Sequence, residues 1–372
     1  PHPSGPKPDT MTSPSLPPPD TCPAGAQNPE RPTPSPAVPR AGIVPPLATP
    51  LLAPDRLDID GLERLINHLV AGGVHGLFIL GTTGEGPSLS QPLRRELVSR
   101  AIAVAAGRLP VLVGISDAAV ADSLALAHHA ADTGAAAVVA APPFYFPASQ
   151  DQLRRWARDL ASRVPLPMLL YNMPEMVKTV IEPETLAVLA DCEQIVGLKD
   201  SGGDLATFAA YAEVCRRQRP DWGLFIGPEL LYPDAHRLGA TGAVPGGANV
   251  LPAVFVELHA ALHRGDPAAV AQLTATAQQL AAIYTVSPDP GQVIVGIKAA
   301  LLTLGICGDA TASPFSPLPP ADIARVWDIV SSLLPTAAGG DSPGNSPRQQ
   351  AEPHTEASVP AAPVEPREGK LG

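Results

Sequence analysis

The sequence predicts an α/β fold of the (β/α)8 barrel type with a C-terminal helical extension. Eight short, nearly uninterrupted apolar runs follow one another between residues 42 and 246. Longer segments with the apolar spacing of amphipathic helices separate these runs. Strands that are apolar on both faces are typical of a parallel sheet covered by helices, and eight strand–helix units close into a barrel.

The order of elements supports this prediction. The predicted strands are 42–48, 75–81, 110–115, 136–141, 166–171, 195–199, 223–227 and 242–246. The predicted helices between them are about 60–73, 90–107, 118–133, 150–163, 183–190 and 204–218. We interpret Asp60 and Glu63 as a capping box of the first helix, and Ser90 as the cap of the second. From about 251 to 333 the pattern is helical, apart from residues 287–291. This stretch is too long for one barrel helix and therefore predicts the C-terminal extension.

Composition divides the chain into four segments. Residues 1–40 contain fourteen prolines, and residues 336–372 are rich in Pro, Gly, Ser and Glu. Both segments are predicted to be disordered tails because they cannot bury enough apolar surface to offset the entropy of ordering. Between them we place the barrel at 41–262 and the helical extension at 263–335.

Charge and cysteine content exclude several classes of protein. The net charge of −11 argues against a general nucleic-acid binder. Cys22, Cys192, Cys215 and Cys307 lack paired spacing and are interpreted as reduced thiols of a cytoplasmic protein. No apolar run approaches the ~18 residues of a membrane span, so no membrane partner is expected. No HExxH or similar cluster occurs, which predicts no metal site.

The stretch "GLKDSGGD" places Lys199 at the end of the predicted sixth strand. The chain has five lysines among its 25 basic residues, so this lysine stands out. Arginine stays charged, whereas a desolvated lysine can lose its proton and attack a carbonyl. We favour a Schiff-base lysine. The alternative is a rim lysine that pairs in solvent with Asp200 or Asp204.

Other reactive side chains fall at the C-terminal ends of predicted strands, where barrel enzymes place their active sites. Tyr171 in "YNMP" is interpreted as a proton carrier, with a buried core tyrosine as the alternative. Thr82 and Thr83 lie in "GTTGEG", which lacks the lysine and the spacing of a P-loop. Backbone N–H groups of such a loop can bind a carboxylate. Tyr145 in "PPFYFP" is a weak signal by itself.

Two further ionisable residues lie among glycines or apolar residues, and each has more than one possible role. Glu85 in "GTTGEG" is expected to support the loop through hydrogen bonds, with a role as a base as the alternative. Lys298 lies in the apolar helix "VIVGIKAALLTLGI" and is expected to extend its ammonium group to solvent.

Together, "GTTGE", "YNMP" and "GLKD" resemble the dihydrodipicolinate synthase / N-acetylneuraminate lyase superfamily, over roughly residues 41–333. The resemblance implies a (β/α)8 barrel with a C-terminal helical extension, usually assembled as a homotetramer, a dimer of dimers. It implies a class I pyruvate-dependent aldolase that forms a lysine Schiff base with a 2-oxo acid. It further implies that no metal and no separate cofactor is needed.

By position, the resemblance assigns roles to most of the residues above. Lys199 matches the Schiff-base lysine and Tyr171 the catalytic tyrosine. Thr82 and Thr83 match the pair whose backbone binds the pyruvate carboxylate, and Thr82 also matches the hydroxyl of the proton relay.

The resemblance also assigns roles to residues at a neighbouring subunit's site and in the pyruvate pocket. Tyr145 matches a tyrosine that family members often contribute to a neighbouring subunit's site. Gly246 and Gly247 match the segment after the eighth strand that lines the pyruvate pocket. Met176 stands where dihydrodipicolinate synthases place an arginine for the carboxylate of aspartate semialdehyde.

The resemblance and this departure together predict an aldolase. The expected reaction cleaves a 4-hydroxy-2-oxo acid, of the 2-keto-3-deoxy sugar acid or 4-hydroxy-2-oxoglutarate type, to pyruvate and an aldehyde. The alternatives are a 4-hydroxy-tetrahydrodipicolinate synthase, a dehydratase of a related sugar acid, and a catalytically silent pyruvate-binding paralogue.

Overall fold

A computed structural model describes residues 37–288 and 291–334 of the chain. Eight strands of this part form one parallel sheet: β1 (Gly42–Ile43), β4 (Leu77–Ile79), β5 (Val111–Gly114), β6 (Ala137–Ala140), β7 (Met168–Asn172), β8 (Ile195–Asp200), β9 (Gly223–Ile226) and β10 (Gly242–Ala243). Their order is β1-β10-β9-β8-β7-β6-β5-β4. A parallel bridge between Pro46 and Phe78 joins the two ends of this order. The sheet therefore closes, and the predicted (β/α)8 barrel is confirmed.

The first strand is shorter than predicted, and an unpredicted hairpin follows it. Pro45 and Pro46 have no N–H group to donate to a neighbouring strand, which limits regular pairing to the two residues of β1. The chain then forms the antiparallel pair β2 (Leu51–Ala53) and β3 (Arg56–Leu57) before the first helix. Its strands are too short to leave a periodic signal in the sequence.

Helices cover the outside of the barrel. They are α1 (Ile59–Ala71), α2 (Gln91–Ala105), α3 (Val120–Thr133), α4 (Gln150–Arg163), α5 (Pro174–Val177), α6 (Pro183–Leu189), α7 (Leu205–Gln218), α8 (Tyr232–Leu238) and α9 (Pro252–Arg264). The C-terminal extension is helical as expected and consists of α10 (Pro267–Leu280), α11 (Gln292–Thr303) and α12 (Pro320–Leu333). The boundary between barrel and extension at 262/263 stays a prediction. In the structure α9 ends at Arg264.

The start of α1 differs from its prediction. Asp58 is the N-cap, and its Oδ1 accepts a hydrogen bond from Gly61 N at 2.8 Å. The predicted capping box of Asp60 and Glu63 is therefore wrong, because Asp60 already lies in the first turn. Ser90 caps α2 as predicted. Sequence spacing identified the helix but not its first residue, since several acids compete for the cap.

Apolar side chains fill two layers. One lies between the strands and the helices, where Leu62, Leu65, Ile66 and Leu69 bury the predicted face of α1. The other fills the interior of the barrel and surrounds the Lys199 side chain. It is formed by Val44, Phe78, Leu112, Val139, Leu169, Phe225 and Val244. The barrel interior is thus a packed core, and Lys199 lies buried within it at the C-terminal end of β8.

The structure does not describe most of the predicted tails. Residues 1–36 and 335–372, which include nearly all of the predicted tails 1–40 and 336–372, lie outside the described residues. In the described part, no helix has the length and apolar character that would let it cross a membrane.

Candidate active site

Lys199 and Tyr171 lie side by side on neighbouring strands. The register of β7 against β8 places Tyr171 opposite Lys199 and Asn172 opposite Asp200. Lys199 is only 5% exposed, and its Nζ lies 3.9 Å from the centroid of the Tyr171 ring and 5.0 Å from that of Phe78. The alternative interpretation of Lys199, a rim lysine that pairs in solvent, is therefore wrong, whereas the favoured Schiff-base role stays a prediction. Its proposed partners are engaged elsewhere: Asp200 accepts from Asn172, and Asp204 caps α7.

The Tyr171 hydroxyl is within reach of a second hydroxyl. Its oxygen lies 3.3 Å from Thr82 Oγ1, and either group can donate. Burial acts to raise the pKa of Tyr171, but the Lys199 ammonium and the contacts of Thr82 and Ser201 outweigh it, so the pKa lies below its usual value. A tyrosine with a lowered pKa exchanges a proton more readily near neutral pH. The pair can therefore carry a proton between the barrel rim and a bound molecule.

A buried amide–carboxylate pair holds the ends of the two strands together. Asn172 Nδ2 donates to Asp200 Oδ1 at 2.7 Å, and Asn172 Oδ1 accepts from Ile181 N at 2.9 Å. Asp200 Oδ1 also accepts from Gly202 N at 3.0 Å, and burial raises the pKa of this carboxyl group. Because Asn172 and Asp200 each follow a reactive residue, these bonds fix the spacing of Tyr171 and Lys199.

The glycine-rich loop after β4 offers backbone donors. Among the described residues, the N–H groups of Thr82 and Thr83 donate to no protein acceptor. The loop is compact: Glu85 N donates to Thr82 O at 3.0 Å. A Cβ at Gly86 would lie 2.2 Å from Leu80 O, so only glycine fits there. The expected carboxylate-binding nest has its donors available.

Glu85 and Lys298 form a buried ion pair. Their side chains are 0% and 1% exposed. Glu85 Oε2 also accepts from Ala312 N at 2.6 Å, and Lys298 Nζ donates to Ala310 O. The expectation that Lys298 extends to solvent is wrong, because a carboxylate lies within its reach in the fold. The preferred interpretation of Glu85, support of the loop by hydrogen bonds, agrees with these contacts.

Gly246 and Gly247 begin a short helical turn after β10 that is held from two sides. Gly247 N donates to Glu229 Oε2 at 2.8 Å, and Tyr284 OH donates to Glu229 Oε1 at 2.9 Å. Burial raises the pKa of Glu229 to about 7, although both hydrogen bonds act to lower it. Asn249 Nδ2 donates to Gly246 O at 2.9 Å.

Asn249 also closes the barrel. It is fully buried, its Oδ1 accepts from Ala48 N at 3.0 Å, and its Nδ2 donates to Pro46 O at 2.9 Å. Neither Asn249 nor Glu229 was predicted from the sequence. Glu229 follows the C-terminal end of β9, and this position in a barrel was the signal available for it.

Tyr145 lies in the loop between β6 and α4, with its side chain exposed to solvent. It is 85% exposed, and its ring packs edge-on against Phe146, with 5.0 Å between centroids. Its φ of +81° is unusual for a residue with a side chain. In the described part of the chain it has no hydrogen bond to Tyr171 or Thr82. Its predicted contribution to a neighbouring subunit stays a prediction.

Within residues 37–288 and 291–334, no three His, Cys, Asp or Glu side chains are placed to hold a metal ion together.

The fold and this rim define a barrel enzyme whose reactive groups are a buried lysine, a tyrosine and a threonine. The Dihydrodipicolinate synthetase family matches residues 39–332, and the chain belongs to this family. The expected superfamily is thereby confirmed. Members of this family are pyruvate-dependent lyases and synthases.

Several known proteins are similar to the chain. The Escherichia coli protein named "Probable 2-dehydro-3-deoxy-D-pentonate aldolase" is 32% identical over 245 residues, which cover 66% of this chain and 81% of that protein. A structure of dihydrodipicolinate synthase from Bacteroides thetaiotaomicron is 42% identical, with a TM-score of 0.77, covering 79% and 99% of the two chains. A prophage protein of Escherichia coli K12, solved in complex with pyruvate, is 29% identical, with a TM-score of 0.75, covering 79% and 98%.

Proposed function

We propose that the protein is a class I Schiff-base aldolase that cleaves a 4-hydroxy-2-oxo acid to pyruvate and an aldehyde. One observation carries this proposal. The Nζ atom of the buried Lys199 lies 3.9 Å from the ring centroid of Tyr171, whose hydroxyl is 3.3 Å from Thr82 Oγ1. A nucleophile beside a proton carrier is what imine formation and carbon–carbon cleavage require.

The proposed reaction begins at the 2-oxo group. The free amine of Lys199 attacks C2, and loss of water gives an iminium ion. Tyr171 then takes the proton of the 4-hydroxyl group, with Thr82 and a partner's tyrosine as the relay. The C3–C4 bond breaks, its electron pair forms an enamine with the iminium, and the aldehyde leaves. Protonation of C3 and hydrolysis by water release pyruvate and restore the amine.

Carboxylate binding is assigned to the two glycine-rich segments. Among the described residues, the N–H groups of Thr82 and Thr83 donate to no protein acceptor and suit the carboxylate of pyruvate, and Gly246 and Gly247 are proposed to line the pyruvate pocket. These roles require no metal ion and no separate cofactor, because the lysine itself supplies the covalent intermediate.

The proposed substrate is a 2-keto-3-deoxy sugar acid or a 4-hydroxy-2-oxoglutarate. Met176 supports this choice. It lies in α5, directly after the strand that carries Tyr171, and is 52% exposed. A thioether cannot form the paired hydrogen bonds by which arginine holds a carboxylate. The sugar-acid name of the 32% identical Escherichia coli relative points the same way.

The second candidate is condensation of pyruvate with aspartate semialdehyde. Its support is the 42% identity to the dihydrodipicolinate synthase of Bacteroides thetaiotaomicron. A substrate panel separates the candidates: cleavage of 2-keto-3-deoxy acids and 4-hydroxy-2-oxoglutarate is followed by pyruvate release, and condensation by loss of aspartate semialdehyde. Aldolase activity supports the proposal. Condensation activity that exceeds every cleavage activity would contradict it.

We further propose a homo-oligomer, a dimer of dimers, acting in the cytoplasm. The exposed Tyr145–Phe146 pair suits contact with a second copy. Cys215 and Cys307 are buried free thiols, which suits a reducing compartment. Sedimentation of the purified chain tests the assembly, and a monomer with full activity would contradict the role given to Tyr145.

A further inference from the structure

The C-terminal extension reaches the active-site loop through a charged contact in the protein interior. The loop of residues 81–86 carries Thr82, whose Oγ1 lies 3.3 Å from the Tyr171 hydroxyl, together with Thr83 and Glu85. Glu85 contacts Lys298 of α11 and Ala312, which follows α11. The hydrogen bond to Ala312 N spans 227 positions of sequence and measures 2.6 Å.

Both charges are excluded from water. Glu85 and Lys298 are 0% and 1% exposed, so each depends on the other and on nearby backbone groups. Lys298 Nζ donates to Ala310 O, and burial lowers the pKa of Lys298 although the Glu85 carboxylate acts to raise it. A buried ion pair that loses one member leaves an uncompensated charge, whereas replacing both members by neutral groups is often tolerated.

The loop backbone transmits this contact to the site. Glu85 N donates to Thr82 O at 3.0 Å, and the Glu85 backbone has a φ of +57°, which costs energy for a residue with a side chain. Thr49 Oγ1 donates to Gly84 O at 2.7 Å on the adjacent residue. The anchored carboxylate therefore holds a loop conformation that is intrinsically unfavourable.

We infer that Glu85 and Lys298 are positioning residues, which hold the Thr82–Thr83 loop in the geometry that binds the carboxylate of the 2-oxo acid. This inference rests on the proposed function for its ligand. The C-terminal extension would then contribute to the active site through Lys298, which does not itself touch the substrate.

Three variants test the inference. Lys298→Met removes one charge, Glu85→Gln/Lys298→Met removes both while keeping an acceptor for Ala312 N, and Ile66→Ala is the matched control. Ile66 is fully buried in α1, so its truncation also lowers stability but leaves the loop contacts intact. The readouts, on folded full-length protein, are the pyruvate concentration for half-maximal adduct formation and amide hydrogen exchange of residues 81–89.

Lys298→Met should raise the half-saturating pyruvate concentration about tenfold, as expected when a hydrogen bond to a carboxylate weakens. It should also speed exchange in the loop. The double variant should recover most of both properties, and Ile66→Ala should change neither. Equal losses in Lys298→Met and Ile66→Ala, or unchanged pyruvate binding and exchange in Lys298→Met, would overturn the inference.

The two readouts separate this inference from the proposed function. A wild-type protein without a pyruvate adduct contradicts the Schiff-base proposal. In that case the exchange measurement still decides whether the ion pair holds the loop. Slow exchange that persists in Lys298→Met would overturn the positioning role whatever the chemistry.

Discussion

Replacing Tyr171 by phenylalanine separates binding from proton transfer. The change keeps the ring beside Lys199 Nζ, at 3.9 Å from the centroid, and the edge-on contact with Phe78, at 6.1 Å between centroids. It removes the hydroxyl, with its 3.3 Å contact with Thr82 and its contact with Ser201. One lost hydrogen bond costs about 0.5–1.5 kcal/mol of stability, so the variant should remain folded.

The effect on turnover should be much larger. A positioned general acid or base contributes roughly 10²–10⁴-fold, which is about 3–5 kcal/mol of transition-state stabilisation. Tyr171→Phe should therefore lose roughly that factor in kcat, while an equilibrium adduct with pyruvate still accumulates on Lys199. Pyruvate release from the cleaved 2-oxo acid, coupled to a dehydrogenase, measures the first effect, and borohydride trapping measures the second.

Tyr211→Phe is the matched control. Tyr211 is fully buried in α7, and its hydroxyl donates to Ile181 O. Both variants lose one buried hydroxyl, so they should lose similar stability. If Tyr171→Phe keeps kcat within a factor of about three of Tyr211→Phe, Tyr171 is not the proton carrier and the reasoning is refuted.

Two further predictions concern the segments that hold the pocket. Asn249→Ala removes three hydrogen bonds, to Ala48, Pro46 and Gly246, and should lower the free energy of unfolding, measured in urea, by about 3 kcal/mol. A loss below about 1 kcal/mol would contradict its closing role. Burial raises the pKa of Glu229 to about 7 in the folded state. Between about pH 4.5 and 7 the folded state therefore keeps a proton that the unfolded state has already lost. The stabilisation from this proton is present below pH 4.5 and is lost as pH rises to about 7, so Glu229→Gln should gain roughly 3 kcal/mol relative to wild type between pH 4.5 and 8. Equal pH dependence of the two proteins would show that Glu229 is not held in its protonated form.

Much of the barrel was predictable because its signals are local. Each strand is an apolar run flanked by an amphipathic segment, and parallel strands place all their C-terminal ends on one rim. Lys199 and Tyr171 were found in this way, and their register on β8 and β7 brings them side by side. The β2–β3 hairpin was missed because three- and two-residue strands carry no periodicity.

The supporting contacts could not be predicted because they depend on residues far apart in sequence. Nothing near Lys298 shows that Glu85 will lie against it, so the apolar helix suggested a solvent-directed lysine. The same holds for Asn249, whose partners Pro46 and Ala48 belong to the first strand segment. Such contacts arise only when the sheet closes. The N-cap of α1 was predicted wrongly for a local reason, because Asp58 and Asp60 are both suitable cap residues.

The most direct test of the Schiff-base role of Lys199 is borohydride reduction of the protein with pyruvate, followed by peptide mapping, with Lys199→Arg as the comparison. We expect one reduced pyruvate adduct, on Lys199, and none in Lys199→Arg, which keeps a cation but cannot form the imine. A folded wild-type protein without an adduct, or with the adduct on another lysine such as Lys178, would contradict the assignment of Lys199 as the nucleophile.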